Sequence, residues 1–377
     1  MKILVLNYEF PPIGGGAAPV SRDIAIKLKE RGHEVTVVTM GFQDLPLCET
    51  IEGVKIHRVK CWRSKKSSCM PWEQYTYILA AKKILKKHLE TYNYDICHVH
   101  FVIPTGVVGK WLRKKYRIPY IITAHGSDVE GYNQKTYMKV MHVLLRPFWR
   151  NIVRQSEGVI APSRYLLGLM QKELSSGNYP LIPNGLDVDT YTKLHKPVNK
   201  KEPRILLMGR MQKAKNMQTV LKALSLVDLK EWKVDILGDG PYKEELQSLV
   251  RELKLEDKVV FHGWINNHSS EQMAFLEKAA IYITASHFEN CPMAVLETIA
   301  AGCYPLLSDI PAHRQFIVDD KYFFPMDDCN ELAKRIQTLI DGGNDWYRGK
   351  SKIDVSCYDW SNIITLYEDI LMSASKK

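Results

Sequence analysis

The sequence predicts an α/β protein built from two doubly wound domains. Three observations carry this. Short apolar runs of strand length alternate with amphipathic stretches of helical length. The whole alternation occurs twice along the chain. The 377 residues are enough to bury two separate cores.

In the first half, strands are expected at 2–7 (KILVLN), 34–40 (EVTVVTM), 54–59, 95–100 (DICHVH), 119–123 (PYIIT) and 157–161. Helices are expected at 18–31, 74–90, 105–116, 138–154 and 163–174. The second half repeats the rhythm, with strands at 204–209 (RILLMG), 232–238, 258–262, 280–285 and 303–308. Its helices are expected at 216–227, 241–253, 270–279, 292–301 and 329–341. Between the halves, LIPNGLDVDTYTKLHKPVNKKEP (181–203) has the Pro, Asn, Gly and Lys content of a linker. The expected domains are 1–183 and 184–360, with an amphipathic helix at 361–377 crossing back onto the first domain. Doubly wound sheets bind ligands at the carboxyl ends of their strands, and two such domains facing each other enclose a deep cleft.

Composition narrows the class. No stretch of about 18 apolar residues is present, so no membrane-spanning helix is expected. Glu9 and the nearby prolines interrupt the first apolar run, unlike a secretory leader. The eight cysteines form no CxxC pair and read as reduced thiols of a cytoplasmic protein. Charge is uneven. Residues 1–195 hold 28 Lys and Arg against 16 Asp and Glu, and residues 196–377 hold 24 against 26. Basic clusters at 82–87 (KKILKK), 113–117 (RKKYR) and 139–154 (KVMHVLLRPFWRNIVR) interleave with Leu, Phe148 and Trp149. Each cluster alone reads as a solvated face; together they imply an anionic partner or membrane surface.

Several short motifs carry chemistry. Gly14, Gly15 and Gly16 lie between the first strand and a helix starting near Ala17, where bare backbone N–H groups and a helix N-terminus suit an anion. The spacing is neither GxGxxG nor GxxxxGK[ST], which argues against nicotinamide-cofactor and P-loop readings. In TAHGSD (123–128), His125 and Asp128 follow a strand and would project from its end. In MGRMQKAKN (208–216), Arg210 and Lys215 leave one strand end together and can converge on a diphosphate, whereas Lys213 reads as an exposed basic residue. In HFENCPMAVLETIAAG (287–302), Glu289 precedes a helix opened by Pro292, and Glu297 lies inside it. Carboxylates suit vicinal hydroxyls, and the amides near Met293 and Ala294 suit a phosphate. Asp187-Val188-Asp189 matches a metal-binding DxD in letters only; it follows PNG in the linker, where turn chemistry explains it. Cys97, His98 and His100 lack a fourth metal ligand and read as core and pocket lining.

Taken together, GGG after the first strand, AHGSD, IPNGLD, GRxxxxKN, GDGP and ExxxxxxxE resemble glycosyltransferase family 4 over nearly the whole chain. The resemblance implies a GT-B fold and a retaining hexosyltransferase using a nucleotide sugar, by family habit a UDP-sugar, with a glycan or lipid-linked acceptor. It implies catalytic roles for His125, Arg210, Lys215 and Glu289. It implies donor binding by Gly15, Gly16, Asp128, Gly209, Asn216, Gly238, Met293, Ala294 and Glu297, with Trp264 and Ile265 beside the base. No cofactor and no metal are implied. Where many members carry Gly-Phe or Ser-Phe after the first Glu, this chain has Asn290-Cys291-Pro292, which changes the bulk of the sugar pocket. A cytoplasmic enzyme, peripheral on the inner face of the cell membrane, is expected. A GT-B epimerase or hydrolase is the nearer rival, a phosphorylase lacks its pyridoxal-binding context here, and a basic nucleic-acid-binding protein is the farther rival, with no motif for it.

Overall fold

The computed structural model describes residues 1–66, 68–132, 136–194, 202–342 and 353–376. The chain forms two compact units, Met1–Gly185 with Trp360–Lys377, and Leu186–Asp359.

Unit 1 begins with β1 (Lys2–Leu6), α1 (Ala17–Glu30), β2 (Glu34–Met40), β3 (Cys48–Ile51), β4 (Val54–Val59) and α2 (Pro71–His88). It continues through β5 (Ile96–His100), α3 (Thr105–Tyr116), β6 (Tyr120–Thr123), α4 (Thr136–Gln155), β7 (Gly158–Ile160) and α5 (Arg164–Glu173). Its sheet has the order β3-β4-β2-β1-β5-β6-β7, parallel except for β3. Neighbouring residues of one strand serve opposite faces: Val35 and Val37 enter the core under α1, Val38 and Met40 the core under α2 and α3. Both faces are covered, so these strands read as continuous apolar runs.

Strand β3 was not expected from the sequence. It is an edge strand with no apolar run, paired to β4 through a turn whose Glu52 and Gly53 both have positive φ, 47° and 80°.

Unit 2 opens with α6 (Val188–Thr192), a single turn inside the segment read as a linker. There follow β8 (Glu202–Met208), α7 (Met217–Leu224), β9 (Lys233–Leu237), α8 (Lys243–Glu252), β10 (Val259–Gly263), α9 (Ser270–Lys278) and β11 (Ala279–Thr284). The unit closes with α10 (Met293–Ala300), β12 (Tyr304–Ser308), α11 (Pro311–Arg314), β13 (Phe323–Phe324) and α12 (Cys329–Asp341). The sheet order is β10-β9-β8-β11-β12-β13, with every pairing parallel. The two-residue β13 and the single turn of α11 were also absent from the sequence expectation, being too short to show a period.

The last helix, α13 (Trp360–Ser375), belongs to unit 1. Trp360, Ile363, Ile364, Tyr367 and Leu371 join the core between α1 and the sheet, and Glu368 bonds Arg31 and His33 at 2.8 Å each. All eight cysteines are free. No helix among the described residues is long and apolar enough to cross a membrane.

Candidate active site

In unit 2, β8 and β11 are neighbours, yet the chain leaves them in opposite directions across the sheet. Loops after such a pair diverge and leave a crevice at the strand ends. The loop after β8 carries Gly209, Arg210, Lys215 and Asn216; the loop after β11 carries Ser286 and Glu289. The structure fastens them together. The His287 N–H donates to the Ala214 carbonyl at 3.0 Å, and Lys215 Nζ donates to Glu289 Oε1 at 2.5 Å. Ser286 Oγ donates to the same Oε1 at 2.8 Å. Burial pushes the Glu289 carboxyl up, but the Lys215 charge and hydrogen bond and the Ser286 hydroxyl outweigh it and hold the group below the ordinary carboxylate range. Glu289 is therefore an anion at neutral pH.

Arg210 is half-buried on the same loop. Asn216 is buried in the left-handed region, φ 54°, where Asn is better tolerated than most residues. Its Nδ2 donates to Asp327 Oδ1 at 2.8 Å, and its Oδ1 accepts from Thr219 at 2.9 Å, so its side chain braces the loop. Gly238, after β9, has φ 133°, and a Cβ there would lie 2.0 Å from the Gly209 carbonyl oxygen. The two glycines let the loops after β8 and β9 cross in contact.

Pro292 precedes α10, and no side chain caps that helix, so the first-turn amides of Met293 and Ala294 belong to the group that a helix leaves without intrahelical acceptors. Glu297 is buried in α10 and accepts a 3.0 Å hydrogen bond from Gln272 of α9. Trp264 and Ile265 follow β10. The Trp264 side chain is 65% exposed, and Ile265 packs against the core under α9 and α10.

In unit 1 the equivalent divergence lies between β1 and β5, where the Tyr8 and Phe101 rings approach to 4.9 Å. Gly14 has φ 109°, and a Cβ there would lie 2.6 Å from Glu9 Cβ. The Gly15 amide, expected to face a ligand, donates to Glu9 Oε2 at 3.1 Å, and Arg63 lies 3.7 Å from the other Glu9 oxygen. An internal carboxylate thus holds one arm of the glycine cradle. Gly16 has open space around its Cα and precedes α1 without a side-chain cap.

His125 follows β6. Its Nε2 lies 3.0 Å from His100 Nδ1, one ring donating and the other accepting, and it packs on Phe101 at 4.5 Å. His98 Nε2 lies 2.8 Å from the Thr123 hydroxyl. Burial, then the neighbouring His98, holds His125 down to about 3, and burial does the same to His98. These rings are neutral hydrogen-bonding groups at physiological pH. Asp128 is buried rather than open to a ligand. It accepts from the His125 N–H at 3.0 Å and the Val102 N–H at 2.8 Å, tying the loops after β5 and β6 together. Burial raises its carboxyl pKa against those two donors.

Four participants were not singled out from the sequence for this site: Ser286, Gln272, Glu9 and His100. The first two lack any local signature. Glu9 lies five residues before the first glycine, and His100 ends a strand that was read only as lining. Asp187 does what turn chemistry predicts, accepting from the Thr190 N–H at 3.1 Å and its hydroxyl at 2.9 Å as the cap of α6.

Two doubly wound units, with a cation and a carboxylate joined at the switch point of the second, have the fold class of GT-B proteins. The chain matches the description Glycosyltransferase Family 4 over residues 14–190 and Glycosyl transferases group 1 over residues 192–348, and it belongs to glycosyltransferase family 4. It is 26% identical to an alpha-monoglucosyldiacylglycerol synthase of Streptococcus pneumoniae, covering 85% of this chain and 73% of that one. It is 25% identical to a GDP-mannose:cellobiosyl-diphosphopolyprenol alpha-mannosyltransferase of Xanthomonas oryzae, covering 98% and 96%. Its fold matches sucrose-phosphate synthase from Thermosynechococcus elongatus with a TM-score of 0.79 at 19% identity, over 99% of this chain and all of that one. The chain is a glycosyltransferase.

Proposed function

We propose that the protein is a retaining hexosyltransferase that takes its sugar from a UDP-sugar and delivers it to a hydroxyl of a lipid-linked or glycan acceptor. The observation that carries the donor half is the Lys215–Glu289 bridge across the unit 2 switch point. It joins a cation suited to the departing diphosphate with a carboxylate suited to sugar hydroxyls. Arg210 and the first-turn amides of α10 add positive potential on the same strand ends, and Glu297, held by Gln272, is assigned to the ribose.

In the reaction proposed, the bond from the anomeric carbon to the β-phosphate oxygen breaks as the acceptor oxygen attacks the same face. The acceptor proton passes to the departing phosphate. Negative charge grows on that phosphate, so Lys215 and Arg210 act more strongly in the transition state than before it. Neutral His125 offers Nδ1 as a hydrogen-bonding atom to the transferred sugar. This chemistry needs no resident metal, because side-chain cations and helix-end amides supply the positive potential; undiminished activity in chelator is expected. The acceptor reading rests on the basic first half of the chain and agrees with the lipids in the names of both relatives above, a glucosyldiacylglycerol in one and a cellobiosyl-diphosphopolyprenol in the other.

Thermal-shift screening tests the donor. A nucleotide sugar bound only by the native state raises the melting temperature. UDP-sugars are expected to do so, and the Arg210→Ala/Lys215→Ala double variant to lose the shift. A response to GDP-sugars alone would replace the donor assignment, and an unchanged response in the variant would refute the site. A trapped glycosyl-enzyme on Asp or Glu would refute the same-face mechanism.

A further inference from the structure

The two helical layers of unit 1 differ sharply in charge. Helices α2, α3 and α4 pack side by side on one face of the sheet. They carry twelve Lys and Arg and a single carboxylate, Glu73, which is buried and accepts from the Ser64 and Met70 amides at 2.7 Å each. The opposite layer, α1 and α13, carries three Lys and Arg against four Asp and Glu. Arg113 pairs with Glu157, and Arg146 with Glu130 and Glu173, from outside these helices; the other ten cations keep this face strongly basic.

That face also exposes apolar side chains in stripes. Trp72, Tyr75 and Leu79 stand on one side of α2 at spacings of three and four, with Trp72 57% and Tyr75 60% exposed. Tyr137, Val140, Leu144 and Phe148 repeat the pattern on α4, with Leu144 69% and Phe148 66% exposed. Trp111 of α3 is partly buried beneath Lys82 and Lys115, each about 6 Å from its ring. The α2 stripe, and Tyr137, Val140 and Leu144 of the α4 stripe, lie in the first halves of helices that follow parallel strands. They therefore lie toward the carboxyl edge of the sheet, the edge that carries the glycine loop and His125. The lysines of α2 and α3 trail toward the other edge.

We propose that the α2–α3–α4 face docks on an anionic bilayer, its aromatic and aliphatic stripes entering the interface beside the acceptor-binding edge and its lysines meeting the lipid headgroups. The proposal rests on the reading of unit 1 as acceptor-binding and names the surface from which a lipid-borne acceptor is drawn. The charge selects this occupant. A second copy seated on the same face would bring like charges together, whereas basic residues around an apolar stripe match an acidic interface.

The test is co-sedimentation of the full chain with vesicles of phosphatidylcholine, alone or with phosphatidylglycerol. Binding is expected on the anionic vesicles at low salt and is expected to fall in high salt. Lys83→Glu/Lys86→Glu/Lys87→Glu should weaken it on the order of a hundredfold or more. Leu144→Ser/Phe148→Ser should weaken it on the order of a hundredfold at either salt. None of these side chains belongs to the proposed catalytic machinery, and unchanged far-ultraviolet dichroism of each variant confirms its fold. Wild-type protein that stays in the supernatant, or variants that bind like wild type, overturn the proposal. So does a dimer in solution that Phe148→Ser dissolves. The nucleotide-sugar thermal shift, read on the same preparations, separates the two claims: a shift without vesicle binding removes only the docking surface, and vesicle binding without any shift removes only the proposed donor site.

Discussion

At the scale of single residues, Lys215 and Glu289 each need the other. Lys215→Ala removes a counter-ion from a largely buried carboxylate. Because Lys215 keeps 31% of its side-chain surface in solvent, the folding cost is smaller than for a sealed pair, about 1–2 kcal/mol. The cost to turnover is expected to be larger, on the order of 10²–10³ in kcat, as for other lost oxyanion donors. A kcat within a few fold of wild type would exclude Lys215 from the departing phosphate. The Glu289 carboxyl sits below its unfolded value, so the contribution of the pair is present at neutral pH and is lost as pH falls through the folded value. The histidines respond in a different window. His98 and His125 titrate near 3 when folded and near 6.5 when unfolded, so the unfolded chain binds more protons between those limits. Unfolding free energy, measured in urea, should therefore rise with pH across that interval, by up to about 1.4 kcal/mol per unit for each ring. A flat profile would mean that these rings are not buried neutral.

At the scale of elements, the loops after β8 and β9 cross in contact at Gly209 and Gly238, beside the proposed donor site. Gly238→Ala places a methyl 2.0 Å from a carbonyl oxygen at a φ of 133° that L-residues avoid, so the loop must move. Loss of the nucleotide-sugar thermal shift, with a melting temperature lowered by several degrees, is the expected outcome. Asp187→Ala removes only the cap of α6 and should cost about 1 kcal/mol in urea unfolding while leaving the donor shift intact. The same elements show what the sequence makes legible. Buried parallel strands such as Glu34–Met40 announce themselves as apolar runs, and the expected strands lie within about two residues of the observed ones. Cys48–Ile51, Phe323–Phe324 and Val188–Thr192 do not, because an edge strand or a single helical turn has too few residues to show a period. The site divides similarly. Residues that leave a strand end, Arg210, Lys215 and Glu289, stand out beside their glycines and prolines. Gln272 and Ser286 are made relevant only by tertiary contact. The engagement of the Gly15 amide by Glu9 is likewise invisible until the loop is folded.

At the scale of the whole molecule, α13 is the strongest link between chain order and fold. Its apolar face completes the core between α1 and the unit 1 sheet, and Glu368 secures it to Arg31 and His33. A chain ending after Asp359 should leave that core open. It is expected to bind a hydrophobic dye and to aggregate, and a truncated chain that stays monomeric with an unchanged melting temperature would contradict this.

That arrangement has a consequence for biosynthesis. The amino-terminal portion leaves the ribosome long before the helix that seals it, and the intervening portion takes roughly ten to thirty seconds to translate at ordinary rates. Throughout that interval its unsealed apolar wall is available to chaperones. A transcript broken before Trp360 yields an unfinished polypeptide, so the architecture ties the first half's competence to completion of the second.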